Sequence, residues 1–242
     1  MNQFGLIVIG DEILSGRRRD RHFEGIGSLL RSRGYQLAWF RILPDDPEYM
    51  IAELKRTMAE GVPVFSCGGI GATPDDHTRR CAAEAAGVAM QRHPEAVNLI
   101  EERFGEEAYP NRIRMADLPE GCELIPNPYN QIPGFRIRQH HFMPGFPDMA
   151  HPMAEWVLDN HYPNAQPEIT RSLKVYGVTE SVMMPMMEDL VASHPDAKFF
   201  SLPRLGKDGF VELGFRSEDD PVIAFDDLIA RLKQADFRYS VD

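Results

Sequence analysis

The first 65 residues constrain the fold more than any other stretch, because short apolar runs and amphipathic segments alternate there without interruption. "FGLIVIG" (4–10) is a compact run rich in Ile and Val and reads as a buried strand. "DRHFEGIGSLLRSRG" (20–34) places Phe23, Ile26, Leu29 and Leu30 at helical spacing and stops at Gly34, suited to the turn after a helix. "YQLAWFRIL" (35–43) is a second strand. In "DDPEYMIAELKRTMAEG" (45–61) Asp46 is placed to cap a helix and Pro47 to open it. Met50, Ile51, Leu54 and Met58 share one face of that helix, and Gly61 ends it. "VPVFSC" (62–67) is a third strand. Strands joined by helices run parallel, because a crossover and not a tight turn connects them. The expected class is therefore α/β, a three-layer sandwich around a mostly parallel sheet.

The middle of the chain is less regular. "PEAVNLIEERFG" (94–105) is helical, and residues 111–162 mix short strands with Pro–Gly punctuation. They close on an amphipathic helix carrying Met153, Trp156, Val157 and His161. "PNAQPE" (163–168) reads as a linker, which divides the chain into domains 1–165 and 166–242. Beyond it lie a strand "SLKVYGV", a helix "ESVMMPMMEDLVASH" with Pro185 inside it, strands "AKFFSLPR" and "GFVELGFRS", and a helix "AFDDLIARLKQ". That order predicts a small β-α-β-β-α domain of the α+β class.

With 242 residues, 43% of them hydrophobic, the chain can build a core of about 150 residues and a smaller one besides. The net charge of −11 argues against a protein that grips nucleic-acid backbones, which needs clustered Lys and Arg. A small phosphorylated ligand, held at one local site, remains compatible with it. No stretch approaches the roughly 18–20 apolar residues of a membrane span. The start, "MNQFGLIVIGDE", has neither the basic flank nor the cleavage site of a signal peptide. Cys67, Cys81 and Cys122 are odd in number and widely spaced, as expected in a reducing compartment. The expected location is cytoplasmic, with neither nucleic acid nor membrane as partner.

Ligands of open α/β sheets sit outside the carboxyl ends of the strands, and two predicted strands end in suggestive turns. The first runs into "GDEILSG" (10–16), with Gly10, Asp11 and Glu12. The third runs into "GGIGATPDDHT" (68–78), with Gly68, Gly69, Gly71, Thr73, Asp75 and Asp76. Glycines let main-chain N–H groups approach a phosphate with no Cβ in the way. A helix following the loop adds partial positive charge at its N-terminus. Asp75 and Asp76, placed at that helix start, would compete with phosphate for the same N–H groups. Their coexistence suggests a bridging divalent cation such as Mg²⁺. The same letters also fit an ordinary strand-to-helix turn with Thr73 or Asp75 as the cap, and "GDEILSG" also fits a turn with surface acids.

Four other features have plainer readings. "MMPMM" (183–187) fills a core on an irregular helix. "GRRRD" (16–20) is a solvated basic patch or an anion contact beside the proposed site. His140 and His141, adjacent on a strand, face opposite sides and lack the spacing of a metal pair. Asp45 and Asp46 cap a helix, and they also follow the second strand, where they could line the same crevice.

The pair "GDEILSG" … "GGIGATPDDHT" resembles the molybdopterin-binding (MoaB/Mog-like) domain and, more closely, the N-terminal half of the competence/damage-inducible protein A (CinA) family. "NRIRMADLPEGCELIPNP" (111–128), "PGF" (133–135), "FMPGFPDMAHPM" (142–153) and "VYGVTESVMMPMMEDL" (175–190) resemble later segments of that family in the same order. The departures are Ala72 in place of a proline, Arg114 in place of a lysine, and Asn130-Gln131-Ile132 in place of Gly-Thr-Ala. The resemblance implies a MoaB/Mog-like domain over 1–165 and a KH-like α+β domain over 166–242. It implies a site for a phosphorylated pterin or nucleotide made by Gly10, Asp11, Glu12, Gly68, Gly69, Gly71, Thr73, Asn127, Gly134 and Gly145. Asp75 and Asp76 are the expected catalytic and metal-holding residues. The implied activity is divalent-metal-dependent hydrolysis of the pyrophosphate in a compound such as ADP-ribose. The alternatives are non-catalytic binding of molybdopterin or a related ligand, and an interaction protein with a vestigial site. A homo-oligomer, dimer or trimer, is also implied. The family's C-terminal domain that deamidates nicotinamide mononucleotide is expected to be absent.

Overall fold

The structure, a computed structural model, describes residues 2–163, 165–206 and 209–241; Asn164 of the predicted linker lies outside the described residues. Contacts divide the chain into two compact units, Met1–Ala165 and Gln166–Asp242.

In the first unit β1 (Gln3–Ile9), α1 (Asp11–Leu14), α2 (His22–Ser32), β2 (Gln36–Leu43), α3 (Pro47–Glu60) and β3 (Val64–Cys67) follow one another. They are succeeded by α4 (Thr78–Ala86), β4 (Met90–Arg92), α5 (Pro94–Phe104), β5 (Asp117–Pro119), β6 (Glu123–Ile125), β7 (Gly134–Ile137), β8 (His140–Met143) and α6 (Pro147–His161). One sheet has the order β2-β1-β3-β8-β7-β6. Its first four strands are parallel; at one edge β7 pairs antiparallel with β8, and β6 pairs antiparallel with β7. β4 and β5 form a separate antiparallel pair. The class is α/β with a mostly parallel central sheet.

Both faces of the sheet are apolar, which is why β1 reads as an unbroken apolar run. Phe4, Leu6 and Val8 pack with Ile26 and Leu30 of α2 and with Met153 and Val157 of α6. Ile7 and Ile9 point the other way, onto Met50 and Leu54 of α3 and Cys81 and Ala82 of α4. β3 repeats the alternation, with Phe65 and Cys67 on the first face and Val64 on the second. Each fully buried Leu or Ile contributes about 1.5–3 kcal/mol relative to exposure.

The expected cap is in place: Asp46 accepts from the Tyr49 amide at 2.8 Å, with Pro47 at the first turn of α3. On α2 the buried stripe is shifted from the expected one. Phe23 is 53% exposed and leans on Phe40, while His22 and Gly27 are buried. His140 and His141 face opposite layers. His140 Nε2 lies 2.8 Å from Thr57 Oγ1, and His141 Nδ1 lies 3.1 Å from the Val64 carbonyl. Burial lowers the two rings to about 4 and about 3, so both are neutral core groups at pH 7.

The second unit contains β9 (Ile169–Tyr176), α7 (Glu180–Ser193), β10 (Lys198–Arg204), β11 (Phe210–Ser217), α8 (Val222–Gln234) and β12 (Arg238–Val241). Its antiparallel sheet has the order β10-β11-β9-β12. The unit is therefore β-α-β-β-α-β, one strand more than the sequence pattern predicts. β12 is only four residues long and is defined by pairing with β9, far upstream in the chain. Pro203 is tolerated in β10 because β10 is an edge strand. Of the methionine run, Met183 is buried and Met186 and Met187 pack on the core, while Met184 is 49% exposed. Among the described residues no helix is long and apolar enough to cross a membrane.

Candidate functional site

β1 and β3 are neighbouring parallel strands, so the turns at their carboxyl ends open side by side. The Gly10 amide donates to the Leu43 carbonyl at 3.1 Å, and the Gly68 amide to the Met143 carbonyl at 3.0 Å. Those two bonds stitch the turns to the ends of β2 and β8. Between the turns lies a cleft of about 470 Å³. Gly10, Glu12, Asp45, Gly68, Gly69, Ile70, Gly71, Ala72, Thr73, Asp75, Asp76 and Gly145 line it, with Arg18, Met115, Asn130, Ile132, Phe146 and Met149 around them.

The loop after β3 requires glycine at two adjacent positions. Gly68 has φ +118°, and a Cβ there would lie 2.3 Å from the Ile9 carbonyl oxygen. Gly69 has φ +66°, and its Cβ would lie 2.3 Å from Thr78 Oγ1. The loop is thus packed against main chain at Gly68 and against the Thr78 side chain at Gly69, closer than any Cβ would allow. The amides of Gly69, Ile70, Gly71 and Ala72 have no hydrogen-bond partner among the described residues.

The sequence places Asp75 and Asp76 at a helix start, and the structure corrects this: neither starts a helix. α4 begins at Thr78 with His77 as its cap residue, and the two aspartates belong to the preceding turn. Asp76 Oδ2 accepts from the Thr73 amide at 2.8 Å and also from Thr73 Oγ1, closing that turn on itself. Asp75 is exposed on the cleft rim.

Of the two aspartates after β2, Asp46 serves α3 and Asp45 faces the cleft. Asp45 Oδ2 accepts from the Asp11 amide at 2.9 Å, which joins the β1 and β2 turns and places Asp11 beside the cleft. Burial pushes the Asp45 carboxyl above its usual range against the lowering effect of that bond, and Asp11, Glu12 and Asp75 press in the same direction as burial. Negative charge therefore gathers around Asp45, and the glycine loop brings amides with no partner among the described residues to the same cleft.

Among the described residues no three His, Cys, Asp or Glu side chains converge to cage a metal ion. The donors fit only the arrangement in which one or two carboxylates hold a Mg²⁺-like cation and phosphate oxygens with water complete its shell.

Two expected residues lie away from the cleft. Asn127 is buried, and its Oδ1 accepts from the Tyr129 amide at 3.0 Å within a turn. Gly134 opens β7, where a Cβ would lie 2.3 Å from the Phe142 carbonyl oxygen; it serves strand packing. Gly145 does line the cleft, with its carbonyl 3.2 Å from His22 Nε2. Within "GRRRD", Arg18 reaches the cleft, 3.8 Å from Glu12 and 5.9 Å from the centre of the Phe146 ring. Phe146, 56% exposed at the cleft, was not singled out in the sequence, although the Pro-Gly-Phe-Pro turn around it was.

Fold and site together define an α/β domain with a cleft where the strand-end turns of a parallel sheet meet. Residues 5–164 match the family described as the probable molybdopterin binding domain. The chain belongs to that family. It is similar to a CinA-like protein of Geobacter sp. (strain M21), 34% identical over 197 residues that cover 77% of this chain and 47% of the relative. A protein of Pyrobaculum calidifontis is 27% identical over 209 residues, covering 82% of this chain and 80% of that one. This chain thus spans about half the length of the CinA-like relative. Among solved structures, CinA of unknown function from Thermoplasma acidophilum superposes with a TM-score of 0.60 at 27% identity, over 66% of this chain and 97% of that chain.

Proposed function

We propose that the cleft binds a small phosphorylated ligand and hydrolyses its pyrophosphate, as a divalent-metal-dependent nucleotide pyrophosphatase acting on a compound such as ADP-ribose. One observation carries the reading: the glycine-loop residues with four unpartnered amides line the same cleft as the carboxylate residues Asp45 and Asp75. Phosphoryl oxygens would take the amides, and the carboxylates would share a cation with them. A bound cation would supply neutralisation of the charge on those oxygens. In the reaction a water oxygen attacks one phosphorus, the bridging P–O bond breaks, and two monophosphates leave. Asp76 is committed to Thr73, so it holds the loop, and Asp75 is left to orient the water or hold the cation.

The test is to incubate the protein with ADP-ribose or FAD and Mg²⁺, Mn²⁺ or Co²⁺ and to measure nucleoside monophosphate released. Asp75→Asn is expected to lower turnover about 100-fold with an unchanged melting temperature, because Asp75 is exposed. Asp76→Asn is expected to lower both. Absence of turnover with every substrate and metal removes the enzymatic reading.

The second reading, a non-catalytic binder of molybdopterin or a related ligand, is favoured by two features. The described residues form no preassembled metal cage, and Met115, Ile132, Phe146 and Met149 make an apolar wall suited to a planar ring. Thermal stabilisation by a pterin phosphate without turnover would establish it.

A further inference from the structure

We infer that Thr78 and Arg79 are positioning residues that aim main-chain amides of the glycine loop into the cleft, and so set how tightly the loop holds an anion. The inference rests on the proposal that the cleft takes a phosphorylated ligand. Three carbonyls of the loop are tied from behind. Thr78 Oγ1 donates to the Gly68 carbonyl at 2.9 Å, and the Thr78 amide donates to the Gly69 carbonyl at 3.0 Å. Arg79 Nη2 donates to the Gly71 carbonyl at 2.7 Å.

In a planar trans peptide the C=O and the following N–H point in opposite directions. Drawing the carbonyls of Gly68, Gly69 and Gly71 towards the start of α4 therefore turns the amides of Gly69, Ile70 and Ala72 away from it. Those three residues line the cleft, and their amides have no partner among the described residues. Glycine peptides rotate at little steric cost, so an untied loop could present carbonyl oxygens instead, which repel phosphate. Arg79 is itself fixed. Its Nη1 donates to the Asp117 carbonyl at 2.9 Å and to the Arg114 carbonyl, which fixes the guanidinium, and Arg79 is not among the residues lining the cleft. Thr78 is fully buried, so its hydroxyl has no competing water.

The experiment titrates inorganic pyrophosphate and ADP-ribose into ¹⁵N-labelled protein and reads affinity together with the Gly69, Ile70 and Ala72 amide resonances. Thr78→Val, which keeps the shape and removes the donor, and Arg79→Met are each expected to weaken binding about tenfold or more. Thr78→Ser, which keeps the donor, is expected to restore wild-type affinity. Without any ligand, a crystal structure of Thr78→Val is expected to show the Gly68–Gly69 peptide rotated. Wild-type affinity in Thr78→Val, or an unrotated peptide, overturns the inference while leaving the ligand-binding cleft standing. Failure of the wild-type protein to bind either probe removes the cleft reading and this inference with it. Should Arg79→Met lose stability through its bonds to the Arg114 and Asp117 carbonyls, the Val/Ser pair at Thr78 decides alone.

Discussion

At the scale of single residues, glycines of similar backbone angle are not interchangeable. Gly61 closes α3 with φ +72°, and a Cβ added there would meet nothing within 4 Å, so Gly61→Ala costs only the left-handed backbone penalty, about 1 kcal/mol. Gly68→Ala adds a collision with the Ile9 carbonyl, a main-chain atom that cannot step aside, and is expected to cost at least about 3 kcal/mol. Urea denaturation of the two variants measures the difference; equal losses would mean the loop after β3 is loosely packed. The glycines were readable in the sequence because backbone permissiveness is a property of the residue type. The role of Asp45 was not. Asp45 and Asp46 are chemically alike and adjacent; the Tyr49 amide takes Asp46 as the cap of α3, and the Asp11 amide, 34 positions away, takes Asp45.

At the scale of elements, β8 carries an acid-sensitive pair. His140 and His141 sit at about 4 and about 3 when folded, against about 6.5 in an unfolded chain. As pH falls below that unfolded value the unfolded chain takes up protons first. The stability from these buried neutral rings is therefore full above it and is lost progressively as pH falls towards their folded values. Each ring contributes a slope of about 1.4 kcal/mol per pH unit within that window. His140→Gln, which keeps a polar partner for Thr57, is expected to remove the His140 share of the loss between pH 6.5 and 4.5, about 1.4 kcal/mol per pH unit, leaving the shares of His141, His22 and His151. Denaturation curves at several pH values check it, and an unchanged slope would mean the His140 ring is already charged in the fold. That these rings face opposite layers was legible from the alternation of a strand. That both are buried was not, because burial depends on α3 and α6 covering the two faces.

For the whole molecule, the two units have separate apolar cores, one pair of clusters in Met1–Ala165 and another cluster in Gln166–Asp242. All residues lining the cleft belong to the first unit. A fragment of residues 1–165 is expected to unfold cooperatively and to match the full chain's affinity for ADP-ribose, the proposed ligand class, measured by calorimetry. A large loss of affinity would show that the second unit contributes to binding. Taken alone, the order of residues determined what acts over a few positions: the parallel alternation at the start, the cap at Asp46, the permissive loop at 68–71. Only the tertiary structure decided which side chains those pieces bring together. It turned Asp45 to the cleft, set Gly134 against β8, buried Asn127 within its own turn, bonded Arg79 to the glycine loop, and added β12 to a sheet edge. The reason is physical: backbone preference is a local energy, whereas packing and long-range hydrogen bonds exist only once distant segments have met.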